Sequence, residues 1–180
     1  MLATTAVLLA MGLVTGASGD TVTFDARLAG GPSARLDRSL DTEGFFEIGG
    51  MLRIRLDGGH SEGFAPIIMP ELSYTLQGGS VGSGLDHAGV LGCGYGIRHG
   101  PFLTGIVPGL VVGRFRGPDT NLHEWGGGLR VLAVAEIEHF VGVQLGYTAA
   151  LRGTDLIHEV HASLSLNFLG LAVLYIAGRG

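Results

Sequence analysis

The sequence contains no lysine and one cysteine, and it has few charged residues of either sign. Its basic residues are 11 arginines against 16 aspartates and glutamates, which gives a net charge of −5. This balance offers no basic face to nucleic acid. The lone Cys93 excludes an intrachain disulfide and a cysteine-cluster metal site, and a phosphate-binding loop lacks its lysine. We therefore expect no metal, no cofactor and no nucleic-acid partner.

The shortage of charge also limits what this protein can show to water. Charged residues make up 15% of the chain, hydrophobic residues 46%, and the mean hydropathy is +0.41. A soluble domain usually carries about 25% charged residues. No apolar run approaches the ~18 residues of a transmembrane helix. The 33 glycines argue against long helices, because each glycine inside a helix costs roughly 1 kcal/mol.

The N-terminus has the order of an export signal. An apolar run, "AVLLAMGLV" (6–14), is followed by the small residues of "TGASG", which suit cleavage after Ala17 or Gly19. The pattern predicts a signal peptide over residues 1–19. Residues 20–44 are predicted to be a linker with a possible short strand in "TVTFDARL" (21–28), where apolar residues alternate with polar ones.

From residue 45 to 178, segments with period-two alternation recur between glycine, proline, aspartate and asparagine. In "GFFEIGGMLRIRLDGG" (44–59), the even positions are apolar or glycine and the odd positions carry Glu47, Arg53 and Arg55. Eight such segments predict eight strands, the last in "LGLAVLYIAG" (169–178). The connections leave no room for a crossover helix, so neighbouring strands should be antiparallel. The predicted fold class is all-β, an antiparallel up-and-down barrel.

The sparse polar face suits the inside of a barrel better than a water-facing coat, because opposite charges can pair across a narrow interior. The predicted interior charge network consists of Glu47, Arg53, Arg55, Glu71, Arg98, Arg114, Arg116, Arg130, Glu136, Glu138 and Glu159. Aromatic residues lie toward strand ends, as in the two girdles of a membrane barrel. The predicted girdle residues are Phe46, Tyr74, Tyr95, Phe115, Trp125, Tyr147 and Tyr175.

Export signal, eight alternating strands, charged interior and aromatic strand ends together resemble the small OmpA- and OmpX-type outer-membrane barrels. The resemblance covers residues 45–178 in pattern. It implies a transmembrane, porin-like fold in the outer membrane of a Gram-negative envelope. Its partners would be outer-membrane lipids and the barrel-assembly machinery. The expected role is structural or surface-interacting, with no open channel and no enzymatic activity, and "DGGHSEGFA" (57–65) is the expected contact loop. With both termini in the periplasm, eight strands from residue 45 would place the turns at His99 and at 138–139 outside.

Two other functions compete with this interpretation. His161 and Ser163 share a strand face with Glu159, and such a set can activate a serine. Lipid A deacylases are similar in having an H-x-S spacing on a barrel strand, which would imply a lipid-modifying hydrolase. In that family the two residues work at the lipid-facing surface, whereas here they lie on the polar face, so an interior hydrogen-bond network is the preferred interpretation. The other alternative is a secreted soluble barrel that binds a ligand inside.

Overall fold

The computed structural model describes residues 22–36, 42–56, 63–78, 85–116, 122–137 and 140–168, which form a closed β-barrel. Each strand pairs antiparallel with the next, and the last pairs with the first. The strands are β1 (Val22–Arg35), β2 (Thr42–Arg55), β3 (Phe64–Gly78), β4 (Asp86–His99), β5 (Phe102–Arg116), β6 (His123–Ile137), β7 (Val141–Arg152) and β8 (Asp155–Asn167). The predicted all-β fold of eight antiparallel strands is confirmed. None of the described residues forms a helix long and apolar enough to cross a membrane.

The barrel begins one strand earlier than the sequence pattern predicted, at the possible short strand of residues 21–28. β1 spans 14 residues of the stretch predicted to be a linker, and it pairs along its length with β2. The strand continues past Leu28 through "AGGPSAR", where glycine, proline and serine are typical of a turn and hide the alternation. β1 is therefore one of the eight strands of the barrel wall. The strand predicted over residues 169–178 lies outside the described residues.

The register shows how strongly the strands are staggered. A path through Cα partners leads from Asp25 across one residue of each strand to Glu159, and returns to β1 at Arg35. The path thus closes ten residues further along the same strand. Eight strands with this stagger tilt by about 40° from the barrel axis, so each residue advances about 2.5 Å along it. Eight strands also give an interior just wide enough to be filled by side chains.

Two hairpins turn within two residues, and each uses a glycine for its geometry. His99 pairs with Phe102 and Arg152 pairs with Asp155. Between them, Gly100 has a φ of 57° and Gly153 a φ of 59°. Two-residue hairpin turns require a positive φ, which glycine adopts without strain.

The topology assigns each connection to one of two ends. We call the end where β1 begins and β8 ends the terminal end, and the opposite one the far end. The turn at Gly100 and the β6–β7 connection lie at the terminal end, whereas the turn at Gly153 lies at the far end. Eight strands counted from residue 45 would put the turn at His99 at the far end, whereas with β1 included in the barrel it lies at the terminal end. β2 ends and β3 begins at the terminal end, and most of the expected contact loop "DGGHSEGFA", residues 57–62, lies outside the described residues.

The side chains alternate between a buried inward face and a more exposed outward face along the strands. In β5 the sequence pattern assigned the two faces the wrong way round. The inward side chains of β5 are Leu103, Val107, Val111 and Phe115. The outward face carries Ile106, Leu110 and Val112. Because both faces are mostly apolar, the sequence pattern assigned the face that carries Arg114 and Arg116 to the interior. Arg114 is exposed, whereas Arg116 is buried where the alternation breaks at the strand end.

Apolar packing fills part of the interior and explains the glycines of β4. Two clusters of buried side chains line it, Met51, Ile67, Met69, Leu103, Val107, Leu132 and Val134 in one and Ala88, Val90, Val111, Phe115, Ala150 and Ile157 in the other. Gly94 faces Val107, whose Cγ2 would lie 2.6 Å from a Cβ added at Gly94. A Cβ at Gly96 would lie 3.0 Å from Cε of Met69. Backbone oxygens of β5 would lie closer still, 2.5 Å away at Ile106 for Gly94 and 2.8 Å away at Thr104 for Gly96, so the neighbouring strand and the apolar side chains together exclude a Cβ.

Candidate functional site

The interior contains a cluster of buried ion pairs in the half nearer the terminal end. Arg27 lies 3.0 Å from Glu71 and 3.5 Å from both Glu47 and Glu136. Arg130 bonds the same Glu47 and lies 2.7 Å from Glu71. Each arginine therefore bridges carboxylates from different strands, and the cluster ties opposite walls of the barrel together.

The same cluster continues to the terminal end through Arg53. Its guanidinium bonds Glu136, and its Nε lies 2.6 Å from Oδ2 of Asp25. Asn167, the last residue of β8, donates from Nδ2 to Oδ1 of Asp25 at 2.6 Å. These bonds join the first and last strands at the point where the barrel closes. All four side chains are buried.

A second group of charges closes the far end. Arg116 lies 2.6 Å from Glu43 and 3.2 Å from Asp86, and Arg35 lies 3.5 Å from Asp86. Arg35 also donates to the backbone carbonyl of Arg116 at 2.8 Å. His123 lies 3.3 Å from Asp86. Asp86 is therefore the shared acceptor for residues at the ends of three other strands.

The described interior leaves little free space between these side chains. A cavity lined by Asp25, Arg27, Arg53 and Glu136 has a volume of about 10 Å³. This volume is about what a single water molecule requires. The larger cavities, of 940, 260 and 360 Å³, are open apolar grooves on the outward face. The interior is therefore packed with both charged and apolar side chains.

Most of the charged residues predicted to lie inside the barrel are buried there, and the others are half-buried, exposed or outside the described residues. Buried inside are Glu47, Arg53, Glu71, Arg116, Arg130, Glu136 and Glu159. Arg55 and Arg98 are half-buried at the terminal end, where Nε of Arg98 donates to the carbonyl of Gly100. Arg114 was predicted inside but lies outside and exposed, because β5 has the opposite phase. Glu138 lies outside the described residues.

Sequence reasoning missed six charged members of the interior. They are Asp25, Arg27, Arg35, Glu43, Asp86 and Arg152, all of which lie on strands in the structure. The composition of the stretches around them predicts linker, loop or turn. In "TVTFDARL" (21–28), Asp25 and Arg27 alternate with apolar residues, and this pattern is the signal that could have identified these two charges as inward-facing.

The candidate catalytic residues His161, Ser163 and Glu159 all lie on the inward face of β8 and are buried. The ring of His161 stacks on Phe45, with centroids 3.8 Å apart and planes 10° from parallel. A Cβ at Gly146 would overlap the ring from the other side. Within the described part of the chain, neither ring nitrogen of His161 has a hydrogen-bond partner. The imidazole is therefore packed as a flat ring between Phe45 and Gly146.

Ser163 takes part in a hydrogen bond with Gln144 and not with His161. Its Oγ lies 3.3 Å from the side-chain amide of Gln144. The amide oxygen of Gln144 is satisfied when it faces Arg27, 3.2 Å from Nε, and the NH₂ group then donates to Ser163. Ser163 is thus linked to the charge cluster through Gln144, as expected for an interior polar network.

Large apolar side chains cover the outward face of β2 to β8. The exposed ones include Phe46, Ile48, Phe64, Leu72, Tyr74, Leu91, Tyr95, Ile97, Phe102, Ile106, Leu110, Val112, Trp125, Leu129, Val131, Ile137, Val141, Val143, Leu145, Tyr147, Leu151, Leu156, Leu164 and Leu166. Among the outward positions of the described strands, Arg114 is the one exposed Asp, Glu or Arg. The surface pattern is therefore the inverse of a soluble barrel.

Five of the predicted girdle residues lie on this outward face. They are Phe46, Tyr74, Tyr95, Trp125 and Tyr147, with exposed fractions between 40% and 69%. Phe115 is 3% exposed and packs inside, again because of the phase of β5, and Tyr175 lies outside the described residues. The structure adds Phe64, His99 and Phe102 at the terminal end, where the rings of Phe64 and His99 stack at 4.6 Å.

The described residues contain no group of three or more His, Cys, Asp or Glu side chains placed to hold a metal ion. Comparison with known protein families, characterised proteins and solved structures gave no significant match. Function must therefore be argued from the two faces of this barrel.

Proposed function

We propose that this protein is an integral outer-membrane β-barrel of the OmpA- and OmpX-like type, exported by a cleaved signal peptide. Its role is structural or surface-interacting, without an open channel and without an enzymatic reaction. One observation carries the proposal: ion pairs are buried inside the barrel while the outward face is apolar. Hydrocarbon around the barrel is the solvent that suits this arrangement.

Water would be a poor solvent for the outward face. Monomeric soluble proteins rarely expose contiguous apolar patches larger than a few hundred Å². Here exposed apolar side chains follow one another on neighbouring strands, as Leu91, Leu110 and Leu129 do across β4, β5 and β6. Each of these three leucines is at least 60% exposed. Such a surface in water would drive aggregation.

The height of the apolar band also fits a membrane. Phe102 and Arg114 stand on the outward face of β5, one near each end. Their separation along the barrel axis is about 30 Å, at about 2.5 Å per residue. Membrane barrels carry an apolar band about 25 Å tall between two aromatic girdles. The outward residues between these two positions are apolar except for Thr104.

The packed interior supports a role without transport or ligand storage. A cavity of about 10 Å³ admits neither a solute stream nor a bound lipid. The separation of His161 from Ser163 into different contacts supports a non-enzymatic role. These features favour the membrane barrel over a lipid A deacylase and over a soluble ligand-binding barrel. The partners expected for it are outer-membrane lipids and the barrel-assembly machinery.

Cell fractionation and electrophoresis test the proposal directly. The full chain should appear in the outer-membrane fraction, require detergent for extraction, and migrate differently on gels before and after boiling. N-terminal sequencing of the mature protein should place its start after residue 17 or 19. A mature chain that stays monodisperse in buffer without detergent would overturn the proposal.

Two further measurements address the absence of a channel and of a reaction. In planar lipid bilayers the purified barrel should give no stable conductance steps. Expression of the wild type and of Ser163→Ala in the same host should leave identical lipid A acylation patterns. A loss of acyl chains that depends on Ser163 would instead establish the hydrolase.

A further inference from the structure

The outward face carries a polar cluster near the far end of the barrel, on four consecutive strands. Tyr74, His87, Arg114 and Trp125, which we call the Arg114 cluster, lie on β3, β4, β5 and β6. Arg114 has His87 as its Cα partner on one side and Trp125 on the other. The rings of Tyr74 and His87 are 6.0 Å apart. Side chains opposite each other on neighbouring strands stand about 5 Å apart, so these four form one continuous surface.

Arg114 is placed where a charge on the outward face is tolerated. An arginine facing lipid costs about 2–4 kcal/mol at the bilayer midplane and about 0–1 kcal/mol near the interface. Its position close to the end of β5 puts it at the interface if the apolar band is in the membrane. Nη2 donates to the carbonyl of His123 at 3.1 Å, which holds the guanidinium at this height.

The surroundings of Arg114 favour an anionic partner. In the described part of the chain no carboxylate forms an ion pair with Arg114, in contrast to the arginines of the interior clusters. A guanidinium carries five N–H donors in a planar fork that matches the oxygens of a phosphate. Directly below it on β5, Val112 and Leu110 are 59% and 60% exposed. A cationic fork above an apolar strip matches a phosphate group joined to acyl chains.

We propose that the Arg114 cluster binds the phosphate of an anionic membrane-lipid headgroup, with the acyl chains lying along Val112 and Leu110. This inference rests on the proposed membrane location. Arg114 supplies the charge-assisted hydrogen bonds, His87 and Tyr74 supply further polar groups, and Trp125 covers the interfacial part of the lipid. With the termini in the periplasm, the far end lies in the outer leaflet, so the lipid bound is a phosphate-bearing lipid of that leaflet.

The experiment uses Trp125, which is the single tryptophan of the chain and belongs to the cluster. The full-length barrel in uncharged detergent is titrated with phosphatidylglycerol and, separately, with phosphatidylcholine, and Trp125 fluorescence is followed. We expect the wild type to bind the anionic lipid more tightly. Arg114→Gln should weaken binding of phosphatidylglycerol about tenfold, the effect of losing a charged hydrogen-bonding partner, and should remove the preference.

Arg98→Gln is the matched control, since Arg98 is a half-buried arginine at the terminal end. It should keep the wild-type affinity. An equal loss in both variants, or equal binding of the two lipids by the wild type, would overturn the headgroup site. Inorganic phosphate is added as a competitor at the lipid concentration. Complete displacement by it would make free phosphate the ligand and overturn the lipid assignment.

Folding is checked by heat-modifiable gel mobility in every variant. If Arg114→Gln does not fold, Arg114→Lys keeps the charge and loses the planar fork, and it should show an intermediate weakening; wild-type affinity there would refute the site. A barrel that needs detergent but shows no effect at Arg114 overturns only the headgroup site. A chain that is monodisperse without detergent overturns the proposed function as well.

Discussion

Arg130 should be the most costly interior charge to remove. Its guanidinium is 2% exposed, bonds Glu47, and lies 2.7 Å from Oε1 of Glu71. Arg130→Met keeps much of the side-chain volume and removes the positive charge. The two carboxylates are then left to Arg27, which lies 3.5 Å from Glu47 and 3.0 Å from Glu71.

The size of the effect follows from this geometry. Breaking a buried ion pair by removing one partner costs about 3–5 kcal/mol, because the other charge stays buried without compensation. Arg27 remains within reach of both carboxylates, so we expect a loss at the lower limit, about 3 kcal/mol in the free energy of unfolding. Adding Glu71→Gln removes one orphaned charge, so the double variant should recover about 1–2 kcal/mol.

Urea unfolding in detergent micelles, followed by Trp125 fluorescence, measures these differences. Arg152→Met is the control, because Arg152 pairs with Asp155 and Glu124, whose side chains are 38% and 56% exposed. Arg152 itself is 8% exposed, but both of its carboxylate partners stay in contact with water when it is removed, so this change should cost about 0–1 kcal/mol. If Arg130→Met costs no more than Arg152→Met, or if the Glu71 change adds a further loss, Arg130 is not the shared counter-ion of two buried carboxylates.

Three further predictions test the interior packing and the outward surface. Gly146→Val should prevent folding or lower the urea midpoint because its Cβ overlaps the His161 ring, and His161→Ala should restore much of the loss; no recovery would contradict this contact. Gly94→Ala should destabilise by about 1–3 kcal/mol, because its Cβ would lie 2.5 Å from the backbone oxygen of Ile106 and 2.6 Å from Cγ2 of Val107, and Val107→Ala in the same chain should recover only part of this loss, as read from the same unfolding curves. Leu145→Arg, midway along β7, should cost about 2–4 kcal/mol, whereas Leu151→Arg, near the far end, should cost about 0–1 kcal/mol. Equal costs at the two depths would argue against hydrocarbon around the barrel.

Alternation predicted the faces of most strands because the interior accepts charge and the exterior does not. β2 is the clearest case, since Glu47, Met51 and Arg53 are buried while Phe46 and Ile48 are exposed. β5 failed because leucine and valine occupy both of its faces. Its inward face packs against the glycines of β4, a contact between strands that the sequence of β5 alone does not reveal.

The partners within the interior could not be predicted either. Arg27 and Glu136 are 109 residues apart in the chain and meet only because the barrel closes. The stacking of His161 on Phe45 depends in the same way on the register between β1, β2 and β8. A pattern search assigns a residue to a face, whereas the stagger of the whole barrel decides which residues stand at the same height.

Including β1 in the barrel changes the end at which every connection lies. A barrel that begins at residue 45 puts the turn at Gly100 opposite the termini, whereas adding β1 before it moves that turn to the terminal end. The same change moves the turn at Gly153 and the ends of β1, β3 and β5 to the far end, where Asp86, Arg116 and Arg35 close the interior. The Arg114 cluster lies at this end too, immediately outside the wall. Within the described residues, closure of the interior and the exposed outward arginine therefore coincide at the far end.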